Sequence, residues 1–176
     1  MKLRLLGFLL AAAGAVTAGG NCAKAGDHDL TVEVSGLRNY KGQVVLTLWP
    51  GASEASKFPD ASKMQLRDEH LPEVPCDFTK YAICRRIVES LQNLTISYTF
   101  KSVPAGDYAV FVFHDENNNG VLDTGLIKRP LEALGYSQIL PEDVDPLSRR
   151  IPFQRAKFNL NGPKAITIGL RYPPRL

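Results

Sequence analysis

The chain predicts an all-β fold, an antiparallel sandwich of about seven strands. Three observations predict it. Apolar residues recur at every second position in several segments. Turns rich in Gly, Pro and Asn separate those segments. No segment carries the apolar period of a long helix.

Leu30, Val32 and Val34 alternate with Thr31, Glu33 and Ser35, the pattern of a half-buried strand. A turn at Asn39-Tyr40-Lys41-Gly42 follows, then a second strand through Val44, Leu46 and Leu48. Leu94, Ile96, Tyr98 and Phe100 alternate with Thr95, Ser97, Thr99 and Lys101, and Val103-Pro104-Ala105-Gly106-Asp107 reads as a turn. Tyr108 to Phe113 is apolar at every position, so it is expected to be a central strand covered on both faces. Ala156, Phe158 and Leu160 precede a turn at Asn161-Gly162-Pro163, and Ile166, Ile168 and Leu170 alternate through a last strand. Two stretches break the pattern and read as long loops. One runs from Pro50 to about Ile87, the other from Gly125 to Pro152.

The first 25 residues read as a signal peptide rather than as part of the fold. Lys2 and Arg4 precede an apolar run from Leu5 to Val16, too short to span a membrane comfortably. Ala23-Lys24-Ala25 is a small-x-small cleavage site, and Val16-Thr17-Ala18 is a second one. Residues 26–176 then form one domain with enough chain to bury a core. Removing Lys2, Arg4 and Lys24 lowers the 21 basic residues to 18, equal to the 18 acidic ones. The mature chain is neutral, which argues against a nucleic-acid partner. No second membrane segment follows. The expected location is the periplasm or outside the cell, and the expected state is a monomer. Cleavage after Ala25 removes Cys22 and leaves Cys76 and Cys84, which an exported protein is expected to pair.

The run His114-Asp115-Glu116-Asn117-Asn118-Asn119-Gly120-Val121-Leu122-Asp123 carries the most chemical information. Oxygen-bearing side chains fall on alternate residues, Asp115, Asn117 and Asn119, and again at Asp123. Val121 offers a backbone carbonyl, and Gly120 permits a tight bend. A hard cation such as calcium needs six to eight oxygens, and a tightly curled loop supplies them in this way. Leu126 stands where an EF-hand needs its bidentate Glu, so the missing ligand is expected from Glu132, Glu116, a backbone carbonyl or water. With two carboxylates among four main side-chain ligands, the expected calcium affinity is weak, on the order of 10⁻⁴–10⁻³ M. The same residue types also make tight turns unaided.

Other candidates are sparser. His28, His70 and His114 are too far apart in sequence to suggest a zinc site. His114 closes the central strand and is expected to orient Asp115 or a loop carbonyl. Trp49 stands at a strand end, where an exposed ring would stack on a sugar and a buried one would pack in the core. Arg85-Arg86, Lys128-Arg129 and Arg149-Arg150 read as solvated surface.

Several of these segments together resemble a known family. Val103 to Val110 lead into Phe113-His114-Asp115-Glu116-Asn117-Asn118-Asn119-Gly120-Val121-Leu122-Asp123-Thr124. Pro130, Glu132, Gly135, Tyr136 and Ser137 follow at matching intervals, then Pro152-Phe153 and Ala156-Lys157-Phe158. The pattern resembles the exported bacterial family called domain of unknown function 2141 and covers most of the mature chain. Lys128 stands where a glycine is more usual. The resemblance implies a Greek-key sandwich of prealbumin or immunoglobulin kind and supplies no activity. The expectation is a non-catalytic binding or structural module of the cell envelope that binds Ca2+ and has an envelope protein or polymer as partner. One alternative is a carbohydrate- or envelope-polymer-binding module using Trp49 and the two long loops. The other is an enzyme centred on His114, Asp115 and Glu132.

Overall fold

The computed structural model describes residues 26–51, 55–59, 83–89, 91–125, 129–145 and 151–174. Among the described residues eight strands carry the fold: β1 (Asp27–Ser35), β2 (Gln43–Pro50), β3 (Cys84–Val88), β4 (Ile96–Pro104), β5 (Gly106–Asp115), β6 (Ala133–Tyr136), β7 (Phe158–Leu160) and β8 (Lys164–Gly169). A single turn of helix, α1 (Phe153–Ala156), precedes β7, and short 3-10 turns occupy Ala55–Lys57 and Pro141–Asp143. Among the described residues, no helix is long and apolar enough to cross a membrane.

The strands form two sheets. One has the order β4-β1-β8, the other β3-β2-β5-β6, with β7 also pairing β5. Pairing is antiparallel throughout except between β1 and β8, which run parallel from Leu30/Lys164 to Ser35/Gly169. That contact departs from the purely antiparallel expectation. Side chains from both sheets meet in one core, which includes Leu30, Val32, Val110, Val112, Leu160 and Ile168. The alternation read in β1 is the cause: Leu30, Val32 and Val34 all face that core.

A second apolar cluster covers the other face of the five-stranded sheet. Val45, Trp49, Phe111, Phe113 and Tyr136 lie there beneath Phe58, Val144, Ile151 and Phe153. The two stretches read as loops therefore supply a lid of apolar side chains. This explains why Tyr108 to Phe113 of β5 is apolar at every position: each face has its own cover. The edge of β5 away from β2 is shared, with Phe111 to His114 pairing β6 and Gly106 to Tyr108 pairing β7. Buried Ser137 bridges the gap. Its hydroxyl donates to the Ala156 carbonyl at 2.6 Å and accepts from the Val110 amide at 2.9 Å.

Several expectations change in detail. β3 and β6 lie inside the stretches read as loops, because Cys84-Arg85-Arg86-Ile87-Val88 does not alternate and β6 is only four residues long. Leu94 lies outside β4 and is exposed, whereas Val103 and Pro104 belong to it. Ala156 ends α1 instead of starting a strand. Trp49 is fully buried and stacks edge-on against Phe58 at 5.6 Å, and its indole N–H donates to Thr47 Oγ1 at 2.9 Å. The expectation of Trp49 as a sugar platform is thereby corrected: its face is spent on the outer core. The signal peptide 1–25, Cys22, His70, Cys76, Lys128, Arg149 and Arg150 lie outside the described residues.

Candidate metal centre

Asp115 is the last residue of β5 and is fully buried. Along β5, Val110 and Val112 face the inter-sheet core, and Phe111 and Phe113 face the outer one. By the same alternation His114 turns inward and Asp115 outward. Asp115 Oδ2 accepts from Gln43 Nε2 at 2.7 Å and from the Gly120 amide at 2.7 Å, while Oδ1 accepts from the Asn119 amide at 3.2 Å. The buried carboxylate thus faces three donors and curls the following chain around itself.

The next ligand candidates repeat the motif one step on. Asn117 Oδ1 accepts from the Asn119 amide at 3.1 Å, and Asn119 Oδ1 accepts from the Val121 amide at 2.8 Å. Asn118 takes the left-handed conformation, φ 60°, that asparagine tolerates. Gly120 takes φ 73°. Both Asn117 and Asn119 point their amide NH₂ groups at Asp123, at 2.7 and 3.0 Å. Each asparagine oxygen keeps a second lone pair. A cation would take those lone pairs and displace the two NH₂ groups from Asp123.

Glu132, at the foot of β6, is buried, and its Oε2 accepts from the Asp123 amide at 3.2 Å. The structure therefore brings Asp115, Asn117, Asn119, Val121, Asp123 and Glu132 to one end of the five-stranded sheet. Among the described residues, no group of three or more His, Cys, Asp and Glu is arranged to hold a metal ion. A site here draws on amide and backbone oxygens as well.

Burial, helped by the charges of Asp115 and Asp123, pushes the Glu132 carboxyl up to about 8, against amide bonds from Asp123 and Glu116. Between its ordinary value of 4.5 and about 8, the folded state holds a proton that the unfolded state lacks. This contribution to stability is present in acid and is lost as pH rises through that window. Glu132→Gln should remove the slope. In chelator, its urea midpoint relative to wild type should be higher at about pH 9 than at about pH 4. Parallel pH profiles of the two proteins would contradict the assignment.

His114 is fully buried with a different task. Its Nε2 lies 2.7 Å from the Lys41 carbonyl, which can only accept, so Nε2 carries the proton and Nδ1 accepts from the Tyr172 hydroxyl at 2.6 Å. His114 thus orients a loop carbonyl, but the carbonyl belongs to the β1–β2 turn rather than to the 115–123 loop. Arg38 stacks over the Tyr172 ring at 4.4 Å and forms a two-pronged ion pair with Glu116, which also accepts from Asn39. Burial pushes the Glu116 carboxyl up, but the bonds from Arg38 and Asn39 and the Arg38 charge outweigh it and hold it below its usual range. Glu116 is committed to that pair, which leaves Glu132 as the better placed of the two additional ligand candidates.

Three site contributors, Gln43, Arg85 and Tyr172, were not visible as such in the sequence. Gln43 reads as the start of an apolar strand, although a glutamine directly after Gly42 in such a strand is a signal of a buried partner. Arg85 reads as solvated surface, yet its Nη2 donates to the Gly120 carbonyl at 2.6 Å. Arg86 likewise donates to Tyr98 Oη at 2.8 Å. Tyr172 lies beyond the last predicted strand and carries no sequence signal at all.

Neither a search of curated proteins nor one of solved structures finds a match to this chain. A family model described as uncharacterized protein conserved in bacteria matches residues 32–168, a span that runs from β1 to β8 and includes the whole 115–123 loop with Glu132. The chain is therefore a member of that bacterial family, DUF2141.

Proposed function

We propose that this protein is an exported, non-catalytic module of the cell envelope whose 115–123 loop binds calcium. The observation that carries the reading is the set of bonds from the Asn119, Gly120 and Val121 amides to the side-chain oxygens of Asp115, Asn117 and Asn119. These bonds hold oxygens from alternate residues on one tight turn, with the Asp123 carboxylate and the Glu132 carboxyl beside it. That is the preparation a weak oxygen-ligand calcium site needs. The ion orders the loop and has no part in chemistry.

The leader composition supports export. The disulfide state of Cys84 supports a Cys76–Cys84 bridge, which would contribute about 2–3 kcal/mol in a loop this small. For the fold type we favour the Greek-key sandwich of prealbumin or immunoglobulin kind. The chain passes between sheets from β1 to β2, from β3 to β4, from β4 to β5 and from β7 to β8, and such crossovers support that type. An envelope protein or polymer is the partner class that this location implies. Burial of Trp49 removes the aromatic platform of the carbohydrate reading and leaves it the two long loops alone. The enzyme reading needs His114, Asp115 and Glu132 to converge, whereas neighbouring side chains on β5 face opposite sides of the sheet.

Thermal unfolding tests the proposal. At about 10 mM calcium and a Kd of about 1 mM, linkage gives about 1.4 kcal/mol, or a rise in melting temperature of roughly 3–6 °C over chelator. Asp123→Ala should keep the fold, because among the described residues the Asp123 carboxylate accepts from exposed loop side chains, and should lose the rise. An equal rise in Asp123→Ala and wild type would overturn the assignment.

A further inference from the structure

The 115–123 loop leans on a cation that the chain itself carries. Arg85 pairs with Thr47 in the β2–β3 ladder and is half-buried. Its guanidinium reaches the loop, where Nη2 donates to the Gly120 carbonyl at 2.6 Å. The Gly120 amide, at the other end of the same residue, donates to Asp115 Oδ2 at 2.7 Å. Gly120 is therefore held at both ends, by a buried anion at its N–H and by a cation at its C=O. A methyl group on Gly120 would stand 3.4 Å from Arg85 Nη2, so the two groups are in close contact. Burial pulls the Arg85 guanidinium below its usual range, and the charge of Asp115 pulls it back.

We propose that Arg85 is the positioning residue that keeps the 115–123 loop folded when no metal is bound, its guanidinium and the Asp115 carboxylate gripping Gly120 from opposite ends. A loop rich in acceptors opens when its carboxylates have nothing to face. Here a tethered positive charge replaces part of what a metal would supply. Part of the loop is thus shaped before a cation arrives, and the ion completes its ordering. The purpose of this bracing rests on the calcium reading; the bracing itself does not.

Amide hydrogen exchange followed by NMR separates the two ideas. In excess chelator, Arg85→Met should speed exchange of the Asn119 and Gly120 amides by about tenfold or more, with the Val32 and Val112 amides unchanged. Arg85→Lys keeps the charge on a different donor and should fall between Arg85→Met and wild type, which also covers the case of a poorly folding methionine variant. Exchange of Asn119 and Gly120 at the wild-type rate in Arg85→Met would overturn the proposal. So would an equal acceleration of loop and core amides, which marks Arg85 as a general stabiliser only. Millimolar calcium chloride is the second arm. Restored protection in Arg85→Met supports the bracing and the calcium reading together. Loss of protection in chelator with no calcium response supports the bracing and removes the calcium reading.

Discussion

Replacing Gly42 by alanine is expected to be the most damaging single-methyl change near the loop, at about 4 kcal/mol or more. Gly42 has φ 76°, a region an L side chain adopts only with strain. An added Cβ would overlap the Asp115 carbonyl oxygen and stand 2.6 Å from Glu116 Cα and 2.8 Å from the Asp115 carbonyl carbon. All three atoms are backbone, so no rotamer change relieves the overlap. Gly42 also immediately precedes Gln43, which pairs with Asp115 at the end of the β2–β5 ladder. Relief must therefore come from opening that end of the ladder, where the loop begins. Gly162→Ala is the matched control: a Cβ there meets nothing within 4 Å, and the effect should be within about 0.5 kcal/mol. Urea denaturation of both variants reads the difference, and a Gly42→Ala midpoint equal to that of wild type would contradict this account of the turn.

Asp115→Ala should cost about 3–4 kcal/mol even in chelator. It strands the Asn119 and Gly120 amides and the buried Gln43 side chain, which all donate to this carboxylate. Hydrogen bonds to a charged acceptor are worth more than neutral ones, and an orphaned buried donor pays its full desolvation cost. Asp115→Asn keeps the shape and an acceptor but not the charge, so its cost should be smaller. It should also lower the Glu132 carboxyl from about 8, since the Asp115 charge is one of the causes that raise it. A neutral effect of Asp115→Ala on the urea midpoint in chelator would show that the loop organises itself without β5.

What the sequence made legible was local. The spacing of Asp115, Asn117, Asn119 and Gly120 is a pattern of near neighbours, and the loop it implies closes through bonds between residues two to five apart. The alternation of β1, β4 and β8 is readable for the same reason: each shows one face to a core. The supports of the site were not legible, because they arrive from afar. Gln43 lies 72 residues from Asp115, Arg85 lies 35 from Gly120, and Tyr172 lies 58 from His114. The pairing of β2 with both β3 and β5, and the arrival of the C-terminal segment beside them, make those partners neighbours. β3 was missed because Cys84 to Val88 does not alternate, and β6 because four buried residues show no period of two. Trp49 carried an ambiguous signal, and its burial was decided by Phe58 and Phe153 from the long connecting segments.

The central claim is that the 115–123 loop binds calcium, and the most direct measurement is an amide NMR titration of the metal-free protein with calcium chloride, then with magnesium chloride. The account predicts saturable shifts confined to Asp115 through Asp123 and Glu132, with a midpoint on the order of 10⁻⁴–10⁻³ M for calcium and no comparable response to magnesium. Unchanged loop amides at calcium concentrations of about 20 mM, well above that range, would contradict it and leave residues 115–123 as a turn held by Asp115 and Arg85 alone.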